Sequence, residues 1–306
     1  MDFQIILDDI FSVLTKDTSL TPSKNKRVLS IINDFENGKW HSERFHKFIW
    51  NNIKETALSF KERKALIAEG EDSVLTDAAK NLRLLESDDD PGRGSEIAEI
   101  LLYGIMKNYY KALPIVPKIF YKQNKNDYAK GADSVHIVVE NNSDFSLWFG
   151  EAKFYDSIEN ARFKVIIESV KESLSLEKLK KENVIITSLS DINEFDEISA
   201  ELRTKIINSL SQKESIDKIK PILNIPILLL HECTLTKAAT HLTSTYIDQI
   251  KEFHKERATA YFKRQIKECA DVDLYSEIKF HIILFPVPEK APIVDKFIAK
   301  AKIIRG

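Results

Sequence analysis

The stretch ADSVHIVVENNSDFSLWFGEAKFY, residues 132–155, constrains the fold more tightly than any other part of the chain. In an extended backbone, Val135, Ile137 and Val139 share one side, and Phe145, Leu147 and Phe149 share one side. Paired strands are most stable when their apolar residues face each other on the same surface. This predicts an antiparallel hairpin pairing Val135 with Phe149, Ile137 with Leu147 and Val139 with Phe145. The loop would be Asn141, Asn142 and Ser143, between Glu140 and Asp144.

One further pair in that register sets Asp133 opposite Glu151, with Lys153 two residues on and on the same side. Facing side chains have Cβ atoms only about 4.5–5.5 Å apart, so two ionised carboxylates repel there and one of them holds its proton more tightly. A divalent cation between them removes the conflict, and Mg²⁺ takes one or two carboxylates while keeping several waters. Lys153 would then orient an attacking water or steady the charge on a phosphate. Glu-x-Lys also occurs where a strand simply leaves a core for solvent. Here the Gly-Ala-Asp start, the register and the flanking aromatics all favour a built site.

The helix predicted over 95–110, SEIAEILLYGIMKNYY, supplies a third carboxylate. At about 100° per residue its apolar side chains cover nearly the whole circumference, which marks a buried helix. Glu96 and Glu99 lie three apart on one side of it. A buried carboxylate needs a cation, a partner or a cavity, so Glu99 is a candidate metal ligand and Glu96 a weaker one. A first-turn glutamate also serves the helix dipole, the plainer account of Glu96.

Residues 1–90 read mostly as helix; the apolar spacing over 44–68 follows the helical period. The acidic run SDDDPGRG, 87–94, marks a boundary, dividing a helical module (1–90) from a core (91–306). Within the core the pattern predicts an extended segment over 114–121, the hairpin, a long helix over 157–182 and a strand over 183–189. Strands over 226–232 and 277–287 and a closing helix within 291–303 follow. Strands alternating with helices after a hairpin imply an α/β fold, a mixed sheet flanked by helices on both faces.

The net charge of −2 does not favour nucleic acid as a partner, yet 45 Lys and Arg are enough for a local basic patch. Arg162, Lys164 and Lys171, after the hairpin, would follow a phosphate backbone or simply face solvent. The two cysteines, Cys233 and Cys269, lie far apart without metal-ligand spacing. His136 falls on the strand face opposite Asp133, and lone histidines such as His231 and His281 are usually structural. The first residues carry acids inside their apolar run and no basic leader, and no apolar run approaches the ~18 residues of a membrane span. A cytoplasmic location is expected.

Together, Glu96 and Glu99 on a helix, GAD ending in Asp133, and WFGEAK with Glu151 and Lys153 resemble the PD-(D/E)XK nuclease superfamily. The resemblance implies a restriction-endonuclease-like fold and a Mg²⁺ site, with Mn²⁺ as the alternative ion. Asp133, Glu151, the Ala152 carbonyl and Glu99 would be its ligands, and Lys153 the catalytic lysine. Ala132 stands where the superfamily motif has proline. More narrowly, EIAEILLYGIM, KGADSVHIVVE, LWFGEAKFY and KFHIILFPVPEK resemble the HamA family, the nuclease subunit of the Hachiman anti-phage system. That implies a DNA-degrading enzyme restrained by a superfamily-two helicase, HamB. The rival readings are a catalytically silent module that binds DNA or docks a helicase, and an RNA-directed nuclease.

Overall fold

The computed structural model describes residues 2–68, 70–83, 94–117, 119, 132–141, 144–180, 182, 198–211 and 214–306. Its centre is a mixed seven-stranded sheet in the order β1-β2-β9-β8-β7-β6-β5. The strands are β1 (Gln4–Ile10), β2 (Lys26–Ile32), β5 (Leu113–Val116), β6 (Ser134–Asn141), β7 (Asp144–Tyr155), β8 (Leu223–Glu232) and β9 (Lys279–Val287). A separate short hairpin pairs β3 (Phe35–Glu36) with β4 (Lys39–Trp40). Strands β2, β9, β8 and β7 are parallel neighbours, flanked by antiparallel β1 on one side and β6 and β5 on the other. The central strands read as nearly unbroken apolar runs because both of their faces are covered.

Helices α1 (Phe11–Leu14), α2 (Ser42–Ala57), α3 (Phe60–Ile67), α4 (Glu71–Lys80) and α5 (Ser95–Asn108) precede the hairpin. Helices α6 (Asn160–Ser173), α7 (Ala200–Ser209), α8 (Thr234–Ala238), α9 (Ser244–Cys269) and α10 (Lys290–Arg305) follow it. Side-chain alternation along β7 splits the core in two. Leu147 and Phe149 join Ile227, Leu229, Ile282 and Leu284 under Phe163 and Ile166 of α6 and Tyr261 of α9. Trp148, Ala152 and Phe154 join Leu228, Ile283 and Phe285 under α2, α5 and α10.

The hairpin register is the expected one: Val135 pairs with Phe149, Ile137 with Leu147 and Val139 with Phe145. Its closure differs. The pairing shifts after Val139 so that Asn141, not Glu140, opposes Asp144, and the Asn141 amide donates to the Asp144 carboxylate at 3.1 Å. An Asx side chain closing its own turn offsets the register irregularity. Residues 142 and 143 lie outside the described residues.

The N-terminal segment corrects the expectation of a mainly helical module. Helices α2, α3 and α4 are present, but residues 4–32 supply two strands of the central sheet. Strand β2 lies parallel to β9, from Lys26 beside Phe280 to Ser30 beside Leu284. Buried on both faces, it shows no period of two, and a short apolar run without periodicity cannot be told from helix. The long helix expected over 157–182 is shorter: α6 ends at Ser173, followed by a further helical stretch over 176–180. The boundary at 87–94 and the strand over 183–189 fall almost wholly outside the described residues. Gly94 itself begins α5 at φ +83, where a Cβ would press on Val294.

Candidate active site

The site forms where two strands part company. Pairing of β6 with β7 begins at Ser134 opposite Gly150, and the Asp133 amide donates to the Gly150 carbonyl at 2.8 Å. Beyond this point β7 continues to Tyr155 against β8, with Glu151 beside Ile227 and Lys153 beside Leu229. Asp133 therefore sits in the crotch of a fork. Its Oδ2 accepts the Ala152 N–H at 3.0 Å, filling a ladder position that β6 no longer serves. Gly150 is required here because a Cβ would collide with Ser134 Oγ and with Leu102 of α5.

Lys153 joins the two carboxylates. Its ammonium donates to Asp133 Oδ2 at 3.2 Å and to Glu151 Oε2 at 3.4 Å. The same Glu151 oxygen accepts the Ser169 hydroxyl of α6 at 2.9 Å. Glu151 is only 4% exposed; burial first, then the Asp133 charge, push its pKa up to about 7. Burial pulls Lys153 down, but Asp133 and Glu151 outweigh it and its pKa is raised. The repulsion inferred from sequence is thus present, and Lys153 offsets it within the chain.

The donor set suits a hard cation: two carboxylates and, by the resemblance, the adjoining Ala152 carbonyl, all oxygens. Among the described residues no three His, Cys, Asp or Glu side chains have metal-holding geometry, so Glu99 forms no such trio with Asp133 and Glu151. The reason lies in the sheet faces. Helix α5 packs against the face bearing Trp148 and Ala152, whereas Glu151 and Lys153 share the alternation of Phe149. Glu99 is buried, as expected, at 5% exposure. Glu96 is buried too and accepts the Arg83 backbone N–H at 2.7 Å.

His136 lies on the α5 side against the Tyr103 ring at 5.1 Å, and burial lowers its pKa to about 3. The basic residues of α6 are engaged: Arg162 lies over Tyr155, Lys164 pairs with Glu168 and Lys171 with Asp271. Sequence reasoning missed Ser169. The trace of it was present, since Phe163, Ile166, Ile167 and Val170 define the buried face of α6 and Ser169 sits at its margin. It also missed buried Glu182, which accepts the Ala132 N–H beside Asp133 at 2.9 Å. A cleft of about 340 Å³ lies past the carboxyl end of β7, lined by Asp156, Glu159, Glu232, Lys237 and Arg257 and by none of Asp133, Glu151 and Lys153. Crevices at the carboxyl ends of parallel strands are the usual ligand sites of such sheets.

The family model described as HamA matches residues 8–301. The chain belongs to the HamA family. The match runs from β1 into α10, so the family unit includes the N-terminal strands as well as the fork. As a HamA protein, the chain is a member of an anti-phage defence family. No curated protein matches it. Among the described residues of this HamA protein, no helix is long and apolar enough to cross a membrane.

Proposed function

We propose that this HamA protein is a metal-dependent deoxyribonuclease that hydrolyses DNA phosphodiesters in anti-phage defence, under the control of a superfamily-two helicase of the HamB kind. The supporting observation is the convergence of Asp133, Glu151 and Lys153 at the fork between β6 and β7. Asp133, Glu151 and the Ala152 carbonyl would hold Mg²⁺, or Mn²⁺ in its place. When bound, the ion supplies Lewis-acid polarisation of the phosphate and lowers the pKa of water.

The chain's own residues divide the remaining work. Lys153, with its pKa raised by its two acidic neighbours in the metal-free chain, acts as an electrostatic clamp. Its ammonium lies beside both carboxylates and opposes negative charge gathering on a phosphate in the transition state. The burial of Glu151 excludes bulk water from one side of the site and strengthens each charge interaction there.

Purified protein, freed of any helicase, is incubated with plasmid DNA and Mg²⁺ beside Glu151→Ala and Lys153→Ala. Wild type should cut at least 100-fold faster than either variant, with EDTA abolishing cleavage. Equal rates for wild type and Glu151→Ala would leave a DNA-binding or helicase-docking module. A parallel digest of RNA decides the substrate class.

A further inference from the structure

Glu151 Oε2 is held twice, by Lys153 and, more closely, by Ser169. The two donors come from different layers. Lys153 rides on the same strand as Glu151, whereas Ser169 comes from α6, packed across that face of the sheet. Helix α6 is in turn strapped to α9 at both ends. At its start, the Asn160 side chain accepts from Arg257 at 3.2 Å and the Asn160 carbonyl from Arg264 at 3.2 Å. Near its end, Lys171 donates to the Glu268 carbonyl at 3.0 Å and pairs with Asp271. Between the straps, Phe163 meets Tyr261 edge-on at 5.6 Å. The Ser169 hydroxyl is therefore delivered from a rigid support.

A carboxylate turns easily about its last bond, since that torsion is broad and roughly two-fold. Lys153 alone, at 3.4 Å from Oε2 and shared with Asp133, leaves this freedom largely intact. A second donor on the same oxygen removes it and leaves Oε1 as the oxygen available to a cation. Partners that orient ligands in this way typically change metal affinity about 10- to 100-fold when removed.

We infer that Ser169 is the positioning residue of the site: its hydroxyl fixes the Glu151 carboxylate so that one oxygen serves the protein and the other the cation. This rests on the metal-dependent reading above, and the test separates the two. Mn²⁺ is titrated calorimetrically into the full-length wild type, Ser169→Ala, Ser169→Thr and Glu151→Ala. Alanine is the better helix former, so Ser169→Ala should keep its fold, and its apo melting curve checks this.

The expected result is Mn²⁺ binding weakened at least 10-fold in Ser169→Ala, restored to within a few-fold by Ser169→Thr, and absent in Glu151→Ala. A hydroxyl that merely satisfies a buried oxygen would alter the apo melt and leave the isotherm unchanged. Wild-type affinity in Ser169→Ala, with none in Glu151→Ala, overturns the positioning role alone. Absence of Mn²⁺ uptake by wild type overturns the cation site and the positioning role together.

Discussion

Two acids in one crotch repel, and the Lys153 ammonium between them offsets that repulsion, which makes Lys153 a structural group as well as a chemical one. Replacing it with methionine keeps the stem and removes the charge, leaving Glu151 and Asp133 facing each other without the ammonium between them. Losing one partner of a buried charge group costs about 3–5 kcal/mol; partial exposure of Lys153 and Asp133 reduces that to about 2 kcal/mol at pH 8. The penalty should shrink on acidification, because Glu151, already raised to about 7, then takes up a proton and ceases to repel. Mg²⁺ should likewise stabilise Lys153→Met more than wild type. Urea midpoints at pH 6 and 8, with and without Mg²⁺, measure this; a constant penalty across pH would refute it. Asp133, Glu151 and Lys153 were legible because each stands at a fixed offset from an apolar register. Ser169 was not, because local periodicity says which side of α6 is buried but not which residue of β7 it meets. Glu99 shows the opposite limit: its burial was legible, and the face of the sheet its helix would cover was not.

At the scale of elements, the close approach of α5 to the fork carries a cost that one glycine removes. A methyl at Gly150 would meet Leu102 from α5 and Ser134 from β6, and overpacking of this kind typically costs about 1–3 kcal/mol. Gly150→Ala should lose about 3 kcal/mol. Leu102→Ala, destabilising alone, should recover part of that in the double variant, since the two side chains share one space. Strict additivity of the two unfolding free energies would show that they do not collide. The hairpin was legible for a related reason: its strands alternate, so only one register gathers all six apolar side chains on one face, where all but Val139 are buried. Strand β2 was not, because lying parallel to β9 with both faces covered removes the alternation that identifies a strand.

At the scale of the whole molecule, a polar chain crosses the buried interior. Ser30 on β2 bonds His254 Nδ1 of α9 at 2.6 Å, and His254 Nε2 lies 3.2 Å from His231 Nε2 on β8, all three fully buried. Burial lowers the pKa of His231 to about 4, and those of His136 and His281 to about 3, against 6.5 when unfolded. Between those values the unfolded chain binds more protons, so stability rises with pH. Relative to pH 8, each of the three should cost about 2 kcal/mol at pH 5. Glu151 works the other way, but one group does not offset three. The same polar chain makes the N-terminus indispensable. Removing residues 2–34 would strip β1 and β2 from the sheet, expose the β9 edge, and leave His254 buried without the Ser30 hydroxyl. Val28, Leu29, Ile31 and Ile32, all in the core, would go with it, at about 1.5–3 kcal/mol of burial each. That is comparable with the roughly 5–15 kcal/mol by which a domain is ordinarily stable. The truncated chain should therefore aggregate or unfold without a cooperative transition. A soluble truncation melting cooperatively near the wild-type temperature would show instead that the sheet stands without its first two strands, and that this segment is a separable module.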